Sequence, residues 1–197
     1  MSDQGGGGGF WRKAYETARR PSARYSLVGL LLAGFFTGII FWGGFNTAIE
    51  ATSTLRFCTS CHEMRDFVFQ EYRETIHYSN RVGVRAICPD CHVPKDWFPK
   101  MKVKALASLE LWGKLTGAID TKEKFETKRL ELAQIVWGRM RASDSRECRN
   151  CHSYEAMDLS KQEKLAQKRH NEDELRKSGK TCIDCHQGIA HHLPKEG

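Results

Sequence analysis

Cys58-Thr-Ser-Cys61-His62, Cys88-Pro-Asp-Cys91-His92, Cys148-Arg-Asn-Cys151-His152 and Cys182-Ile-Asp-Cys185-His186 are four copies of one string, and together they hold all eight cysteines of the chain. In each copy a histidine follows the second cysteine directly. Cys-x-x-Cys-His is the pattern through which c-type haem is attached. The order follows from the chemistry. Two thiols three positions apart reach the two vinyl groups of one porphyrin, and the adjacent imidazole falls under the ring, where it can bind iron. The string therefore predicts four covalent haems, at Cys58 and Cys61, Cys88 and Cys91, Cys148 and Cys151, and Cys182 and Cys185.

Zinc is the plainer reading, since two Cys-x-x-Cys pairs make a tetrahedral thiolate site. Zinc has no need of a histidine directly after each second cysteine. Ordinary usage places histidine at roughly one position in fifty, so four of four is not coincidence. Disulfides are the other use of eight cysteines in an oxidising compartment, but no thiol is left over once four haems are attached.

The formal charge of the 197 residues is +7 and the pI about 9.0. A basic chain raises the question of nucleic acid. Each haem carries two propionates, so four bring about eight negative charges and the loaded protein is near neutral. The lysines and arginines then serve as propionate partners and solvated helix faces, and nucleic-acid binding is not expected.

Residues 1–24 form a basic tail with a glycine run, Gly5 to Gly9, too flexible to fold alone, followed by Arg12, Lys13, Arg19, Arg20 and Arg24. Residues 25–49 contain no charge. About twenty apolar residues cross a bilayer as a helix. A cleaved signal peptide has a shorter apolar core that ends on small residues. Here the core is longer, and Ile49-Glu-Ala51 lacks a small first residue. The stretch is read as an uncleaved, single-pass anchor. The basic cluster before it puts the N-terminus in the cytoplasm, and residues 50–197 form a periplasmic haem domain, the oxidising side that haem attachment requires. Gly34-Phe-Phe-Thr-Gly38 is a GxxxG that could pack two anchors into a homodimer.

The haem domain carries an internal repeat. His77 lies fifteen residues past His62 and eleven before Cys88; His170 lies eighteen past His152 and twelve before Cys182. A spare histidine in the same slot of both halves suggests two duplicated dihaem units. Between the halves, Pro94 and Pro99 mark a turn, 101–115 reads as a helix, and Asp120 with Glu123 suggests the capped start of another. The charged stretch 155–177 reads as a solvated helix. No strand pattern is convincing. The expected fold is mainly α, one transmembrane helix plus a small helical multihaem domain, with haem rather than side chains filling its core.

A low-spin haem needs two axial ligands. His92, His152 and His186 are the default first ligands, and second ligands must come from His77, His170, His191, His192 or Met64. Of the adjacent His191 and His192, one is expected to bind. In the first motif His62 and Met64 both compete, and positions i and i+2 of a helix point to different sides. Spacing alone favours His62.

Phe57-Cys-Thr-Ser-Cys-His-Glu-Met64, Glu71-Tyr-Arg-Glu-Thr-Ile-His77, Gly83-Val-Arg-Ala-Ile-Cys-Pro-Asp-Cys-His-Val-Pro94, Asp144-Ser-Arg-Glu-Cys-Arg-Asn-Cys-His152 and Thr181-Cys-Ile-Asp-Cys-His-Gln-Gly-Ile-Ala-His191 resemble the NapC/NirT family of membrane-anchored tetrahaem cytochromes c, over residues 22–194. The resemblance implies oxidation of a membrane quinol (menaquinol or ubiquinol) and delivery of electrons to a periplasmic reductase of anaerobic respiration, such as the nitrate reductase. It implies Met64 rather than His62 at the first iron, His170 at the second haem, His191 at the third and His77 at the fourth. NrfH-type relatives borrow a second-haem ligand from a partner, and His170 would make this chain self-sufficient. Lys104 and Glu110 match a lysine and an acidic residue of the quinol site at the first haem. Competing readings are a relay to a nitrite reductase, or a haem-based reductase of a small molecule, which needs an iron lacking a second protein ligand.

Overall fold

A computed structural model of the chain describes residues 7–19 and 24–195. The described residues are helical or irregular, with no strand among them. The chain forms two compact units, Met1–Ile49 and Glu50–Gly197.

In the first unit, α1 spans Gly7–Arg19. The glycine run, expected to be unstructured, thus contributes its last three residues to a first helical turn. Downstream residues carry it: Arg12 donates to Glu16 at 3.1 Å, an i,i+4 pair, and Phe10 and Trp11 meet edge to face. The second helix, α2, spans Leu27–Ala51 and starts on Ser26, whose hydroxyl accepts from the Gly29 N–H at 3.1 Å. Its most apolar 18-residue window has a mean hydropathy of 1.9, and none of its residues is buried within the structure. At about 1.5 Å per residue the helix runs roughly 37 Å, enough to cross about 30 Å of hydrocarbon. Two of its polar side chains are satisfied by the helix's own carbonyls, as a lipid-facing helix favours. Asn46 donates to the Trp42 carbonyl and Thr47 to that of Gly43, each at 2.8 Å. A β-carbon added at Gly34 or Gly38 would meet nothing within 4 Å.

The second unit is a string of short helices around two long ones. In order these are α3 (Leu55–Cys58), a π-helical turn (Met64–Val68) running into α4 (Phe69–Arg73), α5 (Cys88–His92), α6 (Trp97–Leu115), α7 (Lys122–Ala142), α8 (Arg146–Arg149), a 3-10 turn (Leu159–Lys161), α9 (Lys164–Arg169), α10 (Glu172–Ser178) and α11 (Cys182–Cys185). Pro99 does not break α6, because it sits in the first turn, where backbone N–H groups have no helical acceptor. The cap of α7 is Thr121, not Asp120: the Thr121 hydroxyl accepts from Lys124 N–H at 3.3 Å, while Asp120 pairs with the Lys124 ammonium at 2.6 Å. The stretch 155–177, expected as one helix, is three short pieces. Asp158 and Asn171 accept from backbone N–H groups ahead of them and start new turns there.

Tyr72 and Ile183, each 6 % exposed, are the buried hydrophobic residues among those described. Beside them Glu63, Glu71, Arg129, Ser145 and Glu147 are buried. A domain of this size holds far more apolar side chain inside when polypeptide alone makes the core. Here the polypeptide is a frame of polar clamps.

Candidate haem centres

Each Cys-x-x-Cys-His string sits on or beside a single helical turn, which sets the two thiols, i and i+3, on one side. The second and fourth strings carry their own start signal. Asp90 accepts from the Ile87 N–H and Asp184 from the Thr181 N–H, both at 2.8 Å. The recurrence of Asp before the second cysteine in these two copies is a cap legible in the sequence. The third and fourth strings are tied through Ser145, which is fully buried in the left-handed region (φ 48°). Its hydroxyl donates to Thr181 Oγ1 at 2.8 Å and accepts from Ile183 N–H at 3.1 Å.

The strings neighbour one another in chain order. The thiols of Cys58 and Cys88 lie within hydrogen-bond reach. Cys91 feels the thiols of Cys148 and Cys151, and burial pushes it up to about 11. Cys148 reaches Cys182, whose sulfur also lies 3.5 Å from the Tyr154 hydroxyl.

Three imidazole pairs meet across these strings, one edge to face, one tilted and one stacked. His77 and His152 are 6.2 Å apart between ring centroids, His92 and His191 6.2 Å, and His170 and His186 5.8 Å. A metal–imidazole bond is about 2 Å and the centroid lies about 1 Å behind the nitrogen, so two rings on opposite sides of one ion stand roughly 6 Å apart. The pairs therefore have the separation of two axial ligands on one iron. They differ from the assignment that the resemblance implies. His77 faces the third motif rather than the fourth, His191 the second rather than the third, and His170 the fourth rather than the second. Nor do they follow the duplication, since His77 pairs across the halves and His170 within its own.

Local structure accounts for each placement. Buried Tyr72 directs its hydroxyl at the carbonyls of His77 and Ala86 and closes the 77–86 loop, which the Ala86 N–H to His77 carbonyl bond (3.1 Å) also holds. Burial pushes that phenol up to about 12. His170 ends α9, its ring Nδ1 2.6 Å from Gln162 Oε1. His191 is drawn inward and His192 outward: the His192 ring is 67 % exposed beside Glu71 and Glu74, while its backbone N–H donates to Glu71 at 2.9 Å. Desolvation by the chain packed around it brings the His92 imidazole down to about 4, and partial burial lowers His77 and His191 as well. All three are neutral near pH 7, the form that binds iron. Helix α7 contributes Val136, Arg139 and Met140 to the cavity that Cys91 and His92 line.

The first motif is different. His62 is not one of the paired rings among the described residues; its Nε2 lies 3.1 Å from the buried Glu63 carboxylate. Met64, 44 % exposed, opens the π-turn, in which the Phe69 N–H reaches back to the Met64 carbonyl. Such turns recur at functional sites, and no sequence signal marked this one. Close to this motif, Lys104 donates to the Thr52 carbonyl at 2.7 Å and hydroxyl at 2.9 Å, and feels the Cys58 thiol. Burial holds its ammonium below the usual lysine range. Lys100 pairs with Glu50 at 2.7 Å. Glu110 lies in α6, about 9 Å of helix rise past Lys104; its side chain is outside the described residues.

These residues fit haem. The cysteine pairs, the ring separations, the neutral imidazoles and the near absence of an apolar polypeptide core all suit it, and among the described residues no three His, Cys, Asp or Glu side chains converge as a zinc site would need. Gln162 and Arg129, which help hold these histidines in place, carried no motif, while Glu71 and Tyr72 lay in a stretch quoted for the family resemblance without a role of their own.

The comparisons with known proteins agree. The NapC/NirT cytochrome c family, N-terminal region, matches residues 20–196. A denitrification system component NirT of Stutzerimonas stutzeri is 64% identical over 177 residues, 90% of this chain and 87% of that one. The cytochrome c-type protein NapC of Paracoccus pantotrophus is 58% identical over 185 residues (94% and 76%), and that of Escherichia coli K12 is 55% identical over 186 (94% and 92%). No solved structure shows significant similarity. The chain belongs to the NapC/NirT family of c-type cytochromes, proteins that carry covalent haem and transport electrons.

Proposed function

We propose that this chain is a membrane-anchored tetrahaem cytochrome that takes electrons from quinol and hands them to a periplasmic reductase. The carrying observation is the file of four haem-attachment strings, each beside the next, with three histidine pairs at iron-bridging separation. The α2 helix is the anchor, with the basic N-terminal tail in the cytoplasm and the haem domain in the periplasm.

Bound haem supplies one-electron chemistry; the polypeptide does the rest. His77 with His152, His92 with His191 and His170 with His186 would hold three of the haems. At the first motif Met64 or His62 would supply a protein ligand, and no second imidazole faces that motif among the described residues. Lys104, half-buried on the Thr52 carbonyl and hydroxyl, holds a positive charge where quinol oxygen turns negative as its proton leaves. Glu110, on the same helix, would accept that proton.

The NapC relatives favour the periplasmic nitrate reductase as recipient. The NirT relative, a denitrification system component, favours a nitrite reductase as the second reading. Anaerobic mixing of the detergent-purified holoprotein with menaquinol or ubiquinol, followed at the haem bands, tests the function. Rapid reduction supports it. Reduction by dithionite but by neither quinol overturns it. Reoxidation by one reductase with nitrate, or by the other with nitrite, separates the recipients.

A further inference from the structure

Gln162 stands apart among the groups that face the paired histidines. The buried Nδ1 atoms of His77 and His191 face backbone groups, of Ile189 and Val68, at the margin of hydrogen bonding. His170 Nδ1 instead lies 2.6 Å from a side-chain carbonyl, Gln162 Oε1. Gln162 is itself fixed from two directions. Its backbone N–H donates to the Leu159 carbonyl at 3.1 Å, and its own carbonyl accepts from Gln167 Nε2 at 2.7 Å. Gln167 lies in α9, the helix that ends on His170, and the His170 N–H donates to the Ala166 carbonyl at 2.8 Å. The amide and the imidazole are thus held on one small frame, built by the 3-10 turn and α9.

An amide oxygen can only accept, so it selects the tautomer with the proton on Nδ1 and leaves the Nε2 lone pair toward His186. We propose that Gln162 is a positioning residue for His170: it fixes the tautomer and ring orientation of that ligand and tunes how strongly it donates to the haem held at Cys182 and Cys185. An acceptor on the far nitrogen raises the basicity of a ligating imidazole and stabilises the oxidised metal. A carboxylate does so more than an amide, and an alkyl group not at all. The inference rests on the reading of His170 and His186 as an axial pair.

The test uses the full-length holoprotein in detergent, with variants Gln162→Glu, Gln162→Leu and His170→Ala. Each is checked for unchanged haem content, then studied by redox titration with electron paramagnetic resonance and by carbon monoxide binding. The expected result is one haem moved to lower potential by Gln162→Glu and the same haem moved to higher potential by Gln162→Leu, the others unchanged. His170→Ala turns that haem high-spin and lets it bind carbon monoxide. If His170→Ala opens one haem while both Gln162 variants leave every potential in place, or move it in the same direction, the positioning role is wrong and the axial pair stands. If His170→Ala leaves every low-spin haem low-spin, the axial pair itself is wrong.

Discussion

Arg129 donates to both carboxylate oxygens of Glu71, 58 residues earlier in the chain, at 2.5 Å and 2.9 Å, and both side chains are nearly withdrawn from water. The same guanidinium holds Glu126 at 2.7 Å, lies over the Phe125 ring and donates to the His192 carbonyl at 3.3 Å. One side chain on α7 therefore joins α4 to the segment that delivers His191. Removing one partner of a buried pair costs about 3 kcal/mol, because the other charge is left without its counterpart. Arg129→Met is expected to lower the unfolding free energy by about 3 kcal/mol, seen as a lower denaturant midpoint in the haem absorption. Combining it with Glu71→Met should recover part of the loss, which a purely local packing defect would not allow.

The same pair sets an acid limit. Burial alone would raise the Glu71 carboxyl, but hydrogen bonds from Arg129 and the His192 N–H outweigh it and hold the group below its ordinary 4.5. A depressed folded value means that the contribution is complete above about 4.5 and drains away as pH falls below that toward the folded value. Unfolding midpoints measured at descending pH should fall more steeply for the natural protein than for Glu71→Gln. Parallel curves would show that Glu71 does not set the acid limit.

How much of this was legible in sequence depends on whether one residue or two were needed. The four strings name their own chemistry, because attachment fixes thiol and imidazole within five consecutive residues. The span 25–49 is readable because a bilayer imposes composition on every position in it; the observed α2 differs by two residues at each end. The pairing of His77 with His152 was not readable. It depends on Tyr72 closing a loop, and nothing in the repeat distinguishes a histidine that serves its own half from one that crosses. Which of His191 and His192 turns toward His92 likewise depends on a distant contact, the His192 N–H bond to Glu71 more than a hundred residues away. The thin apolar core matches the expectation drawn from the haem-attachment strings that side chains would not fill the interior.

Ser145 offers a test of how motif three is tied to motif four. Its hydroxyl is the acceptor for the buried Ile183 N–H and the donor to Thr181 Oγ1. Ser145→Ala leaves that N–H without its acceptor, a cost of about 1–3 kcal/mol, with the left-handed backbone unrelieved. Ser145→Gly loses the same bonds but removes about 1 kcal/mol of left-handed strain. The glycine variant should therefore be the more stable of the two, and both less stable than the natural protein. Calorimetric or denaturant unfolding of the holoprotein gives the order.

Lys104→Met tests the quinol site without touching a haem ligand. The ammonium is held against Thr52 beside Cys58, and loss of one preorganised charge at a developing anion costs about 10²-fold in rate. Quinol should reduce the variant about that much more slowly, while dithionite reduces every haem as before. An unchanged quinol rate would move the site away from α6.

The adjacent histidines near the C-terminus give the sharpest local contrast. His191 faces His92 at 6.2 Å and is half-buried, and that desolvation lowers its ring; His192 sits 67 % exposed between two glutamates. If the inward ring is an axial ligand, His191→Ala leaves one further iron five-coordinate, with added high-spin signal and a carbon monoxide difference spectrum larger than that of the natural protein by one haem. His192→Ala removes only exposed contacts to Glu71 and Glu74 and keeps the backbone N–H that Glu71 accepts, so its spectrum and carbon monoxide binding should match the natural protein. The reverse pattern would mean that the segment turns over when haem is bound, bringing His192 inward in place of its neighbour. Both variants keep all eight cysteines, so haem content read from the denatured pyridine spectrum should be equal, and any difference in carbon monoxide binding then reports ligation alone.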